Sequence, residues 1–237
     1  MKKWRIFRLS LIIAAGLFVS TNSYAFLDFL FGPNIDFDPK TVNGLTYAQL
    51  SGSKNTLDPQ VFNIGLKAYS CANKKGLENK SILTIIDYSK PSSQPRMWVI
   101  DLARKKVKYQ ELVAHGKNSG ELVPTHFSNS INSLQSSIGV YKTAVTYYGK
   151  DGYSLRLQGL EKGYNNNAMS RAVVVHGADY VSQDMIHRYG EIGRSWGCPA
   201  VSQNMLKPTI NTIKGGTLVV AYYPDHSWLK ESSFLHC

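Results

Sequence analysis

The 237-residue sequence has little cysteine and few acidic residues for its number of basic ones. It contains three cysteines, and its 16 Asp and Glu stand against 27 Lys and Arg, so the formal net charge is +11. After residue 19 it has no second long apolar run, so we expect a chain that does not span a membrane. It also has no internal repeat and no glycine-rich phosphate loop, which argues against solenoid folds and against the usual nucleotide-binding loops.

The N-terminus has the pattern of a bacterial secretory signal peptide. Four basic residues precede an apolar run over 9–19, and the small residues Ser23 and Ala25 follow it. This pattern predicts cleavage after Ala25 and a mature protein that is periplasmic or secreted. The alternative is an uncleaved membrane anchor, although the run is shorter than the roughly 20 apolar residues that a membrane span needs.

The mature chain would start at Phe26, and without the four basic residues of the leader it keeps 23 basic and 16 acidic residues, a net charge of +7. Positive charge favours anionic partners. For an exported protein, acidic cell-wall peptide, anionic lipid and lipopolysaccharide are better candidates than nucleic acid, and we expect no nucleic-acid partner. The basic residues are scattered, so a solvated surface explains the charge equally well.

Cysteine usage predicts one free thiol. Cysteines of exported proteins usually pair, and an odd number leaves one thiol free or pairs it between chains. The simplest assignment leaves Cys198 free and joins Cys71 to Cys237, which ties the C-terminal tail to the first helix.

The periodicity of apolar residues predicts a mainly β protein with a few helices, folded as a β-sandwich or a closed, barrel-like sheet. Asp58-Pro59 is a typical helix start, and this helix should end near Gly76. The predicted strands cover 82–88, 96–102, 107–113, 139–148, 153–158, 171–176 and 217–223, and further helices cover 202–213, with Pro208 bending or shortening it, and 225–235. We expect a signal peptide over 1–25, a lead-in over 26–56, one domain over 57–224 and a tail over 225–237.

The stretch that attracts most attention is Gly193-Arg194-Ser195-Trp196-Gly197-Cys198-Pro199-Ala200-Val201, because it places a cysteine after a glycine in an exported chain. An apolar run upstream ends at His176-Gly177. A histidine that the fold brings beside a thiol can remove its proton and return it to a leaving group. Cys198 and His176 are therefore a candidate catalytic pair, whereas the alternative is a buried small cysteine and a structural histidine.

Other chemistries have weaker patterns. His115 also follows a predicted strand and precedes a glycine, so it is a second candidate base. A metal site could in principle use the cysteine with histidines, but no pair has the spacing of four that places two ligands on one helical face. We therefore expect no metal and no cofactor. The residues considered for that site are His115, His126, His176, His187 and Cys198.

The assembled pattern resembles the L,D-transpeptidase (YkuD-type) catalytic domain of bacterial cell-wall enzymes, and within it a divergent subgroup of murein L,D-transpeptidases. The resemblance covers about 57–223. It is carried by His115-Gly116 with Asn118-Ser119-Gly120, by Gly152-Tyr153-Ser154-Leu155-Arg156-Leu157, by Val175-His176-Gly177-Ala178, and by the nine residues around Cys198.

The resemblance implies that Cys198 is an acylated nucleophile, that His176 is its base, and that Ser195 and Gly197 shape the turn. It implies substrate-binding roles for Arg194, Trp196, Gly177 and His115. Two positions depart from the common motif: Trp196 stands where histidine is usual, and Ala200 stands where arginine is usual. We expect Arg194 to supply the missing cation, and since Pro199 has no N–H, the oxyanion donors should be N–H groups such as those of Cys198, Gly197 or Trp196.

The implied reaction is acyl transfer from a peptidoglycan stem peptide, through a thioester at the L-centre of diaminopimelate. The acceptor is left open: a second stem, a free D-amino acid, a protein lysine or water. A cysteine carboxypeptidase or amidase that trims the same peptides and a non-catalytic wall-binding module remain the alternatives. We expect a monomer whose partners are peptidoglycan stem peptides.

Overall fold

The computed structural model describes residues 45–53, 56–77 and 80–237. The predicted signal peptide over 1–25 and most of the predicted lead-in over 26–56 lie outside these residues. Within the described part of the chain, no helix is both long and apolar enough to cross a membrane.

Eight strands form one sheet, which confirms the mainly β, barrel-like prediction. The strands are β1 (Ile82–Asp87), β2 (Met97–Asp101), β3 (Lys106–Glu111), β4 (Gly139–Gly149), β5 (Gly152–Gly159), β6 (Val174–Gly177), β7 (Ala200–Val201) and β8 (Leu218–Tyr222). Their order in the sheet is β3-β2-β1-β8-β4-β5-β6-β7. β1 pairs in parallel with β8 and β6 in parallel with β7, whereas all other neighbours are antiparallel.

The two edges of this sheet approach each other, so the sheet is nearly a closed barrel. The segment after β3 runs beside β7, and the Ala114 N–H donates to the Ala200 carbonyl oxygen at 2.8 Å. An isolated parallel bridge joins Gly116 to Ser195. Closure of this kind satisfies edge groups that an open sheet would expose, and here it also positions the segment before Cys198.

Four α-helices accompany the sheet: α1 (Pro59–Lys74), α2 (Gln183–Tyr189), α3 (Gln203–Ile213) and α4 (His226–Glu231), and a 3-10 helix covers Tyr47–Gln49. The Asp58 carboxylate caps α1 by accepting from the Gln60 N–H at 2.6 Å, as the sequence predicts. α3 runs through Pro208 to Ile213, so the proline does not shorten it. α2 was missed because none of its seven residues is buried, which leaves no apolar stripe to detect.

The core is built on both faces of the sheet. α1 packs closely on β1, and a Cβ at Gly65 would lie 2.6 Å from the Cδ1 of Ile85. On the other face, Leu206, Ile210 and Ile213 of α3 join a cluster of buried strand residues. Each such fully buried aliphatic side chain contributes about 1.5–3 kcal/mol relative to exposure, so the sheet is held by helices on both sides.

β6 begins at Val174, three residues later than the strand predicted over 171–176. The chain over 161–172 forms successive turns, and Ala172 has a φ of +54°, in the left-handed region. A residue in that conformation cannot continue a strand. The apolar pattern concealed this break, because Ala172 and Val173 look like strand residues in the sequence.

The C-terminal segment packs on the domain and is covalently tied to it. Cys71 of α1 and Cys237 form a disulfide with a Cα–Cα separation of 5.6 Å, and Cys198 is free, which confirms the predicted assignment. Trp228 and Leu235 are fully buried.

Candidate active site

Cys198 lies in a short turn that leads into β7, and the Ser195 side chain closes this turn. The Ser195 Oγ accepts a hydrogen bond from the Gly197 N–H at 3.0 Å and donates one to the Cys198 carbonyl oxygen at 2.6 Å. Gly197 has a φ of +121°, and a Cβ there would lie 2.6 Å from the Gln135 carbonyl oxygen. The turn therefore requires a glycine at position 197 and a side-chain hydroxyl at position 195.

The turn is fastened to the segment that follows β3. The Ser195 N–H donates to the His115 carbonyl oxygen, and the Lys117 N–H donates to the Ser195 carbonyl oxygen, both at 2.8 Å. These are the contacts that bring the two edges of the sheet together. The position of the sulfur is thus set by the sheet, which is a more rigid support than a free loop.

The Cys198 thiol is partly exposed and weakly bound. Its Sγ donates to the Ala172 carbonyl oxygen at 3.7 Å. Burial raises the pKa of the thiol and the Asp151 carboxylate adds to the rise, whereas the Val174 N–H and the Arg171 guanidinium oppose it. The resting thiol is therefore protonated at neutral pH and needs a base before it can attack a carbonyl.

His176 lies on β6 opposite Ala200 of β7, so the strand register brings it within two residues of Cys198. Among the described residues, no direct hydrogen bond joins the side chains of His176 and Cys198. The His176 Nδ1 lies 3.0 Å from the Gly177 carbonyl oxygen. A carbonyl can only accept, so Nδ1 carries the proton and Nε2 keeps its lone pair as a base.

Backbone donors beside the sulfur are fewer than the sequence predicts. The Gly197 N–H is already used by the Ser195 Oγ, so it is unavailable to a substrate oxyanion. The N–H groups of Cys198 and Trp196 have no partner among the described residues. These two groups are the remaining candidates for an oxyanion hole in this turn.

Trp196 and Gly177 were both expected to contact substrate, but Trp196 is exposed whereas Gly177 is buried. Trp196 is 66% exposed, and the Lys150 Nζ lies 4.9 Å from the centroid of its ring. Lys150 comes from the turn between β4 and β5, so this hairpin reaches the cysteine turn. Gly177 is buried, and a Cβ there would lie 2.5 Å from the Gln203 Oε1, so it allows α3 to approach β6.

Arg194 is not a free cation in this structure. Its Nη1 lies 2.6 Å from the Glu121 Oε2 and donates to the Gly120 carbonyl oxygen at 3.3 Å, and its Nη2 is 4.0 Å from the Glu191 Oε1. Two carboxylates therefore already share its charge. This arrangement argues against the expectation that Arg194 supplies the missing cation to a substrate carboxylate.

Both ring nitrogens of His115 already form hydrogen bonds within the protein. The residue is fully buried, its Nδ1 accepts from the Arg96 Nη2 at 2.7 Å, and its Nε2 donates to the Gly120 carbonyl oxygen at 3.2 Å. Burial and the charge of Arg96 lower its pKa to about 4. Because both ring nitrogens are used inside the protein, we infer that His115 holds the loop and is neither the base nor a substrate ligand.

Ser195 stands in a Gly-x-Ser-x-Gly pentapeptide, Gly193 to Gly197, a pattern also seen at serine nucleophiles. Here the Oγ proton is donated to the Cys198 carbonyl oxygen. A serine nucleophile needs a base to accept that proton, but among the described residues a carbonyl oxygen accepts it. We therefore treat Ser195 as a residue that shapes the turn.

Two residues near the sulfur were not found from the sequence. Arg171 lies five residues before His176, and its Nη2 would be 3.3 Å from a Cβ placed at Gly197. Tyr180 packs against Gly193, and burial together with the nearby Cys198 raises its pKa to about 12. No spacing rule links either residue to the cysteine, because both approach it only through the folding of the chain over 161–181.

One surface cavity, of about 590 Å³, is not lined by Cys198 or His176. It lies where the end of β3 meets the starts of α2 and α3, and its polar lining includes Glu111, Asp179 and Asp184. In the described part of the chain, no group of three or more His, Cys, Asp or Glu is placed to hold a metal ion.

A family model described as "L,D-transpeptidase catalytic domain" matches residues 53–222. No curated protein matches the chain. Among solved structures, an L,D-transpeptidase from Mycobacterium smegmatis is 13% identical, with a TM-score of 0.38, and the match covers 60% of this chain and 59% of that one.

L,D-transpeptidase 1 of Mycobacterium tuberculosis is 13% identical, with a TM-score of 0.34 and coverage of 60% and 61%. The L,D-transpeptidase of Xylanimonas cellulosilytica (residues 123–326) is 14% identical, with a TM-score of 0.35 and coverage of 61% and 62%. The match thus spans about three fifths of each of these solved chains.

Proposed function

Because the chain belongs to the L,D-transpeptidase catalytic domain family, we propose that it transfers the acyl group of a peptidoglycan stem peptide through a thioester on Cys198. One arrangement carries this proposal. The free Cys198 lies in a turn closed by Ser195, and His176, with its Nε2 lone pair available, pairs on β6 with Ala200, which follows Cys198 by two positions.

In the first half-reaction, the Cys198 Sγ attacks the carbonyl carbon at the L-centre of diaminopimelate in a tetrapeptide stem, and His176 Nε2 takes the thiol proton. The N–H groups of Cys198 and Trp196 stabilise the oxyanion of the tetrahedral intermediate. The C–N bond to the terminal D-alanine then breaks, and His176 donates its proton to the departing amine. The product is a thioester and free D-alanine.

In the second half-reaction, an amine of a second stem attacks the thioester carbonyl, and His176 accepts the proton of that amine. The C–S bond breaks, and the proton returns to the Cys198 sulfur. The product is a cross-link between two diaminopimelate residues. Attack by water would give a tripeptide stem instead, and a free D-amino acid would give an exchanged stem, so the acceptor decides the outcome.

We also propose that the protein works outside the cytoplasm. The Cys71–Cys237 disulfide supports export, because disulfides persist in oxidising compartments. The positively charged leader supports the same location. Peptidoglycan stem peptides lie in that compartment, so the substrate and the enzyme would meet there.

Intact-mass spectrometry of the mature protein with tetrapeptide-bearing muropeptides tests the proposal. We expect a transient acyl adduct that is absent in Cys198→Ala, together with cross-linked dimers. His176→Gln should slow adduct formation by at least about 100-fold, a typical contribution of a general base. His187→Gln is the matched control, because His187 is an exposed histidine on α2 and its loss should change nothing.

Three results would contradict the proposal in different ways. An adduct that yields only trimmed tripeptide would identify a carboxypeptidase. An adduct that persists in Cys198→Ala would exclude the cysteine nucleophile. Absence of any adduct and of any product, with a folded protein, would leave a wall-binding module.

A further inference from the structure

Arg171 holds one loop through all four of its terminal N–H groups. Its Nη1 donates to the Ser128 carbonyl oxygen at 2.6 Å and to the Ser137 Oγ, and its Nη2 donates to the Gln135 carbonyl oxygen at 2.6 Å and to the Ser133 Oγ at 3.2 Å. These acceptors all belong to the 128–137 loop, which lies between β3 and β4. The fork geometry of a guanidinium is suited to fastening a loop in this way.

The 128–137 loop, which Arg171 holds, packs against the turn that contains Cys198. The Gln135 carbonyl oxygen bounds the space at Gly197, and the Ser136 Oγ donates to the Gly197 carbonyl oxygen at 3.2 Å. The next residue after Arg171 is Ala172, whose carbonyl oxygen accepts from the Cys198 Sγ. Arg171 therefore contacts the surroundings of the sulfur through the loop and through its own chain neighbour.

All four hydrogen-bond acceptors of the Arg171 side chain are neutral. Among the described residues, none of its contacts is an ion pair with a carboxylate, in contrast to Arg194. An arginine whose charge is not neutralised exerts a stronger field on a nearby group than one in an ion pair. The guanidinium favours the thiolate of Cys198 and thus offsets part of the effect of burial.

We propose that Arg171 is a positioning residue for Cys198, which fastens the 128–137 loop against the cysteine turn and keeps a positive charge beside the sulfur. This inference rests on the proposed nucleophilic role of Cys198. In this proposal, Arg171 supplies the positive charge that the common motif has at position 200, and it does so from a different segment of the chain. Ala200 itself is fully buried in β7.

Other charged and titratable groups also face the sulfur, so the contribution of Arg171 must be measured against them. Asp151 comes from the turn between β4 and β5, His176 from β6, Tyr180 from the segment after β6, and Tyr88 from the end of β1. Asp151 raises the pKa of the thiol, and Arg171 lowers it, so removal of Arg171 should raise that pKa, whereas removal of Asp151 should lower it.

The rate of Cys198 alkylation by iodoacetamide, followed by intact mass from pH 6 to pH 10.5, tests the proposal without any substrate. Arg171→Gln should raise the midpoint of this profile by about one pH unit, because it removes the adjacent charge. Arg171→Lys keeps the charge and should leave the midpoint within about 0.3 units of wild type. Arg188→Gln removes one exposed positive charge from α2 and is the matched control, with no expected shift.

A merely structural role gives a different result. A loosened loop exposes the sulfur to water, which lowers the midpoint or changes only the rate at high pH, whereas loss of the charge raises the midpoint. An unchanged midpoint in folded Arg171→Gln would overturn the proposal, and so would an Arg171→Lys protein whose midpoint rises by a full unit. Failure of both variants to fold would assign Arg171 to stability alone and would also overturn it.

The alkylation result is independent of turnover. A wild-type protein that forms no adduct with muropeptides, but whose thiol midpoint responds to Arg171→Gln, would contradict the proposed function alone. Where turnover is found, Arg171→Gln should slow adduct formation at neutral pH by about tenfold, in proportion to the lost thiolate.

Discussion

His115 and His176 have the same local pattern, because each is followed by a glycine at the end of an apolar segment. Their surroundings give them different chemistry. Both ring nitrogens of His115 are used by Arg96 and by the Gly120 carbonyl oxygen. His176 uses only Nδ1, on the Gly177 carbonyl oxygen, so one nitrogen stays available as a base.

The buried His115 should make the protein sensitive to acid. Its pKa is lowered to about 4, so between about pH 6.5 and pH 4 the unfolded chain binds a proton that the folded chain does not. Stability should therefore fall with decreasing pH, by about 3 kcal/mol over this range. His115→Gln does not titrate, so it should be less stable at pH 7, by about 1–3 kcal/mol, but should lose less on acidification.

Urea unfolding at several pH values between 4 and 7 measures both effects. His126→Gln is the control, because His126 is exposed. A pH profile of His115→Gln that runs parallel to that of the wild type would show that His115 is not the group that titrates.

At the scale of elements, Glu161 joins three parts of the fold. Its buried carboxylate accepts from the Val140 N–H at 2.7 Å, from the Trp228 Nε1 at 2.9 Å and from the Ser232 Oγ. β4, the turns that follow β5 and the C-terminal helix α4 therefore meet at one side chain. The turns that it anchors continue to Arg171 and Ala172, so this contact also supports the surroundings of Cys198.

Glu161→Gln should destabilise the protein by about 2 kcal/mol, because a neutral amide oxygen accepts from the two N–H groups more weakly than a carboxylate oxygen does, and the amide N–H₂ cannot accept from the Ser232 hydroxyl. Chemical denaturation at pH 7 measures the change. Glu231→Gln is the matched control. Glu231 is exposed and accepts only from the Tyr164 hydroxyl among the recorded contacts, so its loss should cost less than about 1 kcal/mol. Equal effects of the two substitutions would contradict the assigned role of Glu161.

At the scale of the whole molecule, the Cys71–Cys237 disulfide links residues that are 166 positions apart. A cross-link over a long stretch restricts the unfolded chain, and removal of a native disulfide typically costs about 2–5 kcal/mol. The double variant Cys71→Ser/Cys237→Ser should therefore lose stability by about this amount and should still show the alkylation midpoint of Cys198.

Thermal and urea unfolding of that double variant beside Cys198→Ala tests this expectation. Cys198→Ala retains the disulfide and should unfold like the wild type under non-reducing conditions. A double variant as stable as the wild type would mean that the C-terminal tail is held by Trp228 and Leu235 without help from the cross-link.

Much of the fold could be predicted from the sequence. Within the described residues, seven of the eight strands and three of the four α-helices lie where periodicity and capping residues place them, although α4 ends at Glu231 and not at the predicted residue 235. The exceptions have physical reasons: α2 buries no side chain, and the two residues of β7 are too few to form a pattern. The start of β6 was misplaced because the left-handed backbone of Ala172 is set by the turns before it.

The sequence alone predicted that one thiol is left over from pairing and that Cys198 and His176 form a candidate pair, because these follow from composition and from neighbours in the chain, whereas the roles of Ser195 and Gly197 in the turn were implied by the family resemblance. Only the tertiary structure decided that Arg194 is ion-paired and that the ring of His115 is hydrogen-bonded to Arg96. It also decided that the Gly197 N–H donates to the Ser195 Oγ and that Arg171 lies beside the sulfur. The reason is distance: charge and hydrogen bonds act over a few ångströms, between segments whose separation along the chain bears no relation to their separation in space.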